Sequence, residues 1–154
     1  MATLTRTEVH LLIVHRAGRH GSRNKQGFQH LKQKLSKVEA EELFWGLLQA
    51  FLAPDTKGAY DVQALSAHLL LCLNPPCPSA LEAVLYQTLP NYNLSVEELP
   101  WYLAKQFGAD MLHAKLENVS RRLEADVPPQ VIETFKYWLS GNWRQRAEDY
   151  CHEQ

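Results

Sequence analysis

Several common features are missing from this sequence, and each absence argues against a class of protein. No apolar run approaches the roughly 20 residues that a membrane span needs. The apolar stretch Val9 to Val14 is also shorter than the core of a usual signal peptide. The chain has no Gly-rich phosphate loop, nucleophile elbow or HExxH helix. These absences favour a non-catalytic protein of the cytoplasm or nucleus.

Cysteine is scarce as well. Three cysteines form an odd number with no CxxC pair, which fits a reducing compartment and excludes the common zinc patterns. Cys72 is predicted to pack as a small apolar residue, and Cys77 and Cys151 to be incidental thiols. We therefore expect no disulfide, no metal site and no cofactor.

What is present is a helical pattern. The 154 residues are 45% hydrophobic, which is enough for one core, and the alternating pattern of strands is nearly absent. Two apolar stripes at helical spacing, one over 38–52 and the other over 62–73, flank a turn at 54–58 and form a central helix-loop-helix. The sequence predicts an all-α, compact bundle of seven or eight helices.

Helix starts are indicated by a repeated pattern. A Ser or Thr followed three residues later by Glu can form a capping box, in which each side chain bonds a backbone N–H group. The pattern occurs four times, at Thr5/Glu8, Ser36/Glu39, Ser79/Glu82 and Ser95/Glu98.

Two breaks are also predicted. Glycines among polar residues indicate a mobile loop from Arg16 to Gly27, and three prolines indicate a rigid break over 74–78. The segment before the first break, Val9 to Val14, is too short for periodicity to distinguish a helix from a buried strand.

Charge divides the chain unevenly. Residues 1–37 contain eight Lys or Arg but one Glu, so residues 38–154 carry the acidic excess. We expect a basic N-terminal arm with a leading helix (1–37), followed by a helical domain (38–154). The arm can be solvated, fold back on the acidic body, or bind nucleic acid or an anionic surface. The last alternative rests on Arg16, Arg19, Arg23, Lys25, Lys32, Lys34 and Lys37.

One short motif suggests catalysis. Arg19-His20-Gly21-Ser22-Arg23 resembles the signature of histidine phosphatases, in which arginines hold a phosphoryl group beside the histidine nucleophile. The chain departs from that pattern in three ways: Lys25 stands where the acid-phosphatase version expects proline, α/β alternation is lacking, and no later His-Asp pair follows. A phosphatase is the remote alternative, and we expect no enzyme.

Two loops resemble damaged EF-hands. In the first, Phe51 precedes Asp55 and Gly58, but the glycine comes early and the bidentate Glu of a calcium loop is missing. The second spans Asn91 to Trp101 and lacks the acidic entry. We expect no calcium binding.

This paired arrangement resembles the EF-hand-like N-terminal region of the switch-associated protein family, a degenerate EF-hand pair, over about 60 of the 154 residues. The resemblance implies a signalling or cytoskeletal adaptor. It is carried by Glu42-Leu43, Ala50-Phe51-Leu52, Asp55, Gly58, Leu65, Ala80-Leu81-Glu82 and Pro100-Trp101-Tyr102-Leu103. A second similarity is to the harmonin-homology helical domain, which binds partner helices in a groove.

The favoured function is a helical adaptor with an apolar groove between segments 38–53 and 97–107. The groove is expected to hold an amphipathic helix of a partner protein. Large aromatic side chains dominate interface energies, so the predicted anchors are Trp45, Phe51, Trp101, Tyr102 and Phe107. The same spacing also suits plain core packing. Trp138 and Trp143 are the candidates for a second, exposed patch.

Overall fold

The computed structural model describes residues 3–20, 25–52, 59–123 and 126–152. These residues form nine α-helices and no strand, which confirms the all-α prediction with slightly more helices than expected. Two single 3-10 turns, Gln49–Phe51 and Leu89–Asn91, extend the third and fifth helices. The helices are α1 (Arg6–His20), α2 (Lys25–Leu35), α3 (Ala40–Leu48), α4 (Ala59–Leu73), α5 (Leu81–Thr88), α6 (Glu98–Phe107), α7 (Ala109–Arg122), α8 (Pro129–Trp138) and α9 (Trp143–His152).

Helix α4 lies at the centre of the bundle. Every residue from Val62 to Leu71 is buried, so the helix is covered on all sides. It packs against α1, α3, α6 and α9. The three- and four-residue spacing of Val62, Leu65, Leu69 and Leu73 therefore marks one side of a helix that has no solvent-exposed face until its last turn.

Helices α1 and α3 pack closely against each other. Val9 and Ile13 on α1 are fully buried, as are Phe44 and Leu47 on α3. The approach requires Gly46, where an added Cβ would stand 2.6 Å from the Val9 Cβ. The apolar side of the basic N-terminal segment thus belongs to the same core as the rest of the bundle.

The predicted loop from Arg16 to Gly27 is wrong at both ends. Helix α1 continues to His20, and α2 begins at Lys25, while residues 21–24 lie outside the described part. Ala17 and Phe28 are buried and extend the apolar stripes of the two helices. The segment Val9 to Val14, left open between helix and strand, is helical.

The capping box at Thr5 and Glu8 is confirmed. The Thr5 N–H donates to Glu8 Oε1 at 3.0 Å, and the Glu8 N–H donates to Thr5 Oγ1 at 3.2 Å. The box at Ser36 is wrong, because its hydroxyl donates to the Gln33 carbonyl at the end of α2. Glu39 caps α3 instead and accepts from the N–H groups of residues 41 and 42.

The other two boxes are also wrong. Neither α5 nor α6 has a side-chain cap at its first turn. Glu82 instead pairs with Lys115 of α7 at 2.8 Å. Glu98 is buried and accepts a hydrogen bond from Tyr150 of α9. In both cases a contact between helices takes the carboxylate that the local pattern assigned to a cap.

The Pro-rich segment between α4 and α5 is free of helix, as predicted. It is fastened to α6, since the Tyr102 hydroxyl donates to the Pro75 carbonyl at 2.7 Å. Gln106 of α6 accepts from the Cys77 N–H at 3.0 Å and donates to Asn74 Oδ1 at 2.8 Å. These three bonds hold the break in one position.

The cysteine prediction is wrong for two of the three residues. Cys72 near the end of α4 and Cys151 near the end of α9 form a disulfide, with their Cα atoms 5.5 Å apart. Cys77 is free and half-buried. The sequence separation of 79 residues explains the miss, because only the fold brings the two helix ends together.

None of the described helices is long and apolar enough to cross a membrane.

Candidate functional site

An exposed apolar surface lies where α8 meets the turn before α6. We call it the aromatic patch and define it as Leu94, Tyr137 and Trp138. Tyr137 is 62% exposed, Leu94 is 36% exposed and Trp138 is half-buried. The two rings meet edge to face with centroids 5.2 Å apart. The Trp138 indole N–H donates to the Leu94 carbonyl at 3.0 Å, which joins the two segments.

Buried Trp101 and exposed Arg146 hold the patch from behind. The Trp101 indole N–H donates to the Trp138 carbonyl at 2.9 Å. Arg146 of α9 donates to the Ser140 carbonyl at 2.8 Å and more weakly to that of Trp138 at 3.4 Å. The guanidinium of Arg146 also lies 5.8 Å from the centroid of the Trp101 ring. The end of α8 is therefore fixed, and Tyr137 stands on a rigid support.

The turn that carries Leu94 is held by one buried side chain of α4. Gln63 accepts from the Asn93 N–H at 2.9 Å and donates to the Asn91 carbonyl at 2.8 Å. It is 2% exposed, so these bonds form without competition from water. The Tyr92 hydroxyl closes the turn by donating to the Val96 carbonyl at 2.6 Å.

The five predicted anchors lie mostly in the core. Phe51 and Tyr102 are fully buried and Trp101 is 2% exposed, while Trp45 and Phe107 are half-buried. A partner cannot reach the first three in this conformation. The assignment of all five to partner binding stays a prediction.

The space between segments 38–53 and 97–107 is filled. Phe44 of α3 and Tyr102 of α6 face each other with ring centroids 6.2 Å apart, and both are fully buried. Both helices also pack on α4. Of the two tryptophans considered for a second surface, Trp143 is buried, and Trp138 belongs to the aromatic patch.

Two titratable groups are buried where α9 meets α4 and α6. Glu98 is 3% exposed, and burial raises its pKa to about 7, although it accepts from the Tyr150 hydroxyl at 2.9 Å. His68 stacks on Phe28 at 4.0 Å and meets the Tyr150 ring edge-on at 4.5 Å. Burial, with a smaller contribution from the charge of Lys32, lowers the pKa of His68 to about 4. Both groups are therefore held in their neutral forms near pH 6.

The predicted basic residues are only partly described. Arg16 and Lys32 are half-buried, and Lys34 and Lys37 are exposed on α2 and just after it. Arg19 and Lys25 belong to α1 and α2, but their side chains lie outside the described part, as does Arg23. Another arginine of this segment, Arg6, pairs with Glu42 of α3 at 2.8 Å and lowers the pKa of that carboxyl.

The remaining motifs fall partly outside the described residues. The apolar run before Arg19 and His20 is helical, whereas the phosphatase signature follows a strand, and 21–23 are not described. The first EF-hand-like loop lies in 53–58, which is also outside the described part. In the second, the Asn93 side chain accepts from the Ser95 N–H at 2.9 Å. Among the described residues, no group of three His, Cys, Asp or Glu is arranged to hold a metal ion.

Sequence reasoning missed the most exposed member of the patch. Tyr137 lies between Phe135 and Trp138 and does not continue the buried stripe of α8, so the helical pattern does not mark it as a site residue. An aromatic residue outside the stripe of its helix is the signal that would have found it. Gln63 offers no such signal, because its hydrogen-bond partners are 13 to 30 positions away in the sequence.

Comparisons with known proteins give no relative: no family model, no curated protein and no solved structure matches this chain.

Proposed function

We propose that this chain is a non-catalytic helical adaptor that binds a partner protein through the aromatic patch. The observation that carries the proposal is the 62% exposure of Tyr137 on a fixed support. Tyrosine and tryptophan are the residues most enriched at the energetic centres of protein interfaces. A rigid pair loses little side-chain freedom on binding, which favours affinity.

The chemistry of the patch suits an extended or helical segment with apolar side chains. Tyr137 and Leu94 offer apolar area at the surface, and Trp138 lies between the wet surface and the core. The resemblance to the switch-associated protein family is our only ground for proposing a signalling or cytoskeletal assembly as the setting. We propose the cytoplasm or nucleus as the compartment.

The test is site-specific photo-crosslinking followed by affinity measurement. A photoreactive phenylalanine analogue is placed at position 137 or, as the control, at Leu11 of α1, which is 59% exposed. The proposal expects a protein captured at 137 and absent at 11. The purified partner should then bind Tyr137→Ala about tenfold or more weakly than the parent chain.

Leu11→Ser is the matched variant for that affinity measurement, since it also removes an exposed apolar side chain. It should bind the partner like the parent chain. Circular dichroism should give equal helical content for both variants, because Tyr137 and Leu11 are surface residues. Unchanged affinity in a Tyr137→Ala, Leu94→Ser double variant would contradict the proposal.

A second candidate function is favoured by the unpaired charges on α2 and just after it. Lys34 and Lys37 are exposed, and neither has a carboxylate partner among the described residues. Lys34→Glu with Lys37→Glu should abolish binding to a fluorescent single-stranded oligonucleotide, whereas Arg121→Glu on α7 should not. Affinity of the parent chain should fall steeply with salt, because bound phosphates release counterions. Equal binding by both variants would exclude this use of α2.

A further inference from the structure

The C-terminal helix α9 is held on the bundle by few contacts of its own. Trp143 and Ala147 are buried, Tyr150 and Cys151 are half-buried, and the other six residues are exposed. This apolar stripe is narrow for a helix of ten residues. The N-terminal half of α9 also leaves a cleft of about 340 Å³ against the end of α6, lined by Lys105 and Gly108 on one side and Arg144 on the other.

Ring contacts of Tyr150 with His68 and Trp101, and the Arg146 guanidinium over Trp101, also attach α9. Two stronger ties lie at its C-terminal end. The Tyr150 hydroxyl donates to the buried Glu98 at 2.9 Å, and the Cys72–Cys151 disulfide joins α9 covalently to α4. Arg146 bonds only to carbonyls in and just before the adjoining 139–142 loop, so it does not fasten α9 to α4 or α6 by a hydrogen bond. The disulfide is thus the strongest single connection between α9 and the core.

The disulfide lies within reach of a reductant. Cys72 and Cys151 are both half-buried, and each is the next-to-last residue of its helix. Access of an attacking thiolate is one of the factors that decide whether a disulfide is permanent or reversible. In the cytoplasm or nucleus, where thiols are kept reduced, disulfides are usually transient or redox-sensing.

We propose that the Cys72–Cys151 disulfide is a redox latch whose reduction releases α9 from α4 and α6. This inference concerns the other side of Trp101 and does not depend on the aromatic patch as a binding surface. The reductant is a dithiol protein. One of its thiolates attacks a sulfur of the disulfide and forms a mixed disulfide with that cysteine. The S–S bond of this chain breaks, and the departing cysteine thiolate takes up a proton.

The second thiol of the reductant then attacks the mixed disulfide. The products are two free cysteines on this chain and one disulfide on the reductant, so two electrons are transferred. Release of α9 removes Tyr150 from His68, Glu98 and the Trp101 ring, to which it lies edge-on at 6.0 Å. The Trp101 ring, which Tyr150 covers in the oxidised protein, then becomes exposed.

Hydrogen exchange on the full chain tests the latch. Alkylation of the unreduced protein should label Cys77 alone, and reduction should make all three cysteines reactive. Amide exchange over 143–152 should then rise at least tenfold, while exchange in α1 and α3 changes little. Cys151→Ser should exchange in α9 like the reduced protein, and Cys77→Ser like the oxidised one.

Three results would overturn the proposal. The first is alkylation of three cysteines before reduction, which would mean that no disulfide forms. The second is unchanged exchange over 143–152 once the thiols are free. The third is a rise in amide exchange in α1 and α3 equal to that in α9, which would mean that the disulfide stabilises the whole fold and not the α9 contact alone. Reduction of the parent chain decides the matter even if Cys151→Ser does not fold.

Discussion

The contact between α1 and α3 and the contact of α9 with α4 and α6 are built in different ways. The first is mainly apolar, with fully buried Val9, Ile13 and Phe44 closed around Gly46. An ion pair between Arg6 and Glu42 lies at its surface. The second uses a disulfide and a hydrogen bond between Tyr150 and a buried carboxyl group. Close packing does not respond to protons or reductants, whereas the α9 contact contains groups that respond to both. We call the contact between α1 and α3 the inert end of the molecule, and the contact of α9 with α4 and α6 the sensitive end.

The largest effect that separates the two ends is expected from pH. Burial raises the folded-state pKa of Glu98 from 4.5 to about 7 and lowers that of His68 from 6.5 to about 4. Stability from Glu98 is present below pH 4.5 and is lost as the pH rises through 7. Stability from His68 is present above pH 6.5 and is lost as the pH falls through 4. Each change amounts to about 3 kcal/mol in the free energy of unfolding.

Between pH 4.5 and 6.5 the stability from Glu98 falls with rising pH while the stability from His68 rises, so the two changes oppose each other in the parent chain. A substitution of either residue leaves the pH dependence of the other. Glu98→Gln should lose about 3 kcal/mol of stability as the pH falls from 6.5 to 4, relative to the parent profile. His68→Gln should lose a similar amount as the pH rises from 4.5 to 7. Urea unfolding at a series of pH values measures both. Glu133→Gln, at an exposed position of α8, is the control and should keep the parent profile.

A smaller effect is expected at the inert end. In Gly46→Ala the new Cβ would lie 2.6 Å from the Val9 Cβ and 2.9 Å from the Arg6 carbonyl oxygen. The backbone oxygen cannot rotate away, so α1 must shift. Overpacking of this kind outweighs the gain in helix propensity, and we expect a net loss of about 2 kcal/mol.

Gly18→Ala is the matched substitution, because no atom of the described residues outside the local backbone of α1 lies within 4 Å of a Cβ added at Gly18. It should stabilise the protein by about 0.5 to 1 kcal/mol through helix propensity alone. Urea unfolding near neutral pH separates the two variants. Equal stabilisation by both would show that α1 and α3 are not in close contact at Gly46.

The helices could be predicted because their signals are local. The stripes of α3, α7 and α8 repeat at three and four residues, and Pro129 begins α8. The loop predicted from Arg16 to Gly27 failed because arginine and lysine are good helix formers, and burial of Ala17 and Phe28 outweighs the roughly 1 kcal/mol that a helical glycine costs.

The candidate site could not be predicted to the same degree, because it depends on contacts between distant segments. Trp101 is a predicted anchor because of its size, yet its indole N–H donates to the carbonyl of Trp138, which lies 37 residues away. The disulfide likewise joins cysteines 79 residues apart. The apolar stripe of a helix indicates which side of the helix is buried. It does not indicate whether that side packs in the core or binds a partner.

The smallest effect concerns the capping-box pattern, a Ser followed three residues later by Glu, because its Glu makes different contacts at the two ends. At the sensitive end Glu98 is buried and accepts a hydrogen bond from Tyr150, whereas at the inert end Glu39 remains on the surface and caps α3. Glu39→Ala should therefore cost about 1 kcal/mol, since two N–H groups at the start of α3 lose their acceptor. Ser36→Ala should change the unfolding free energy by less than about 0.5 kcal/mol, because its hydroxyl bonds a carbonyl at the end of α2. Equal losses in the two variants, measured by urea unfolding, would restore the capping box that the pattern predicts and would remove this difference between the two ends.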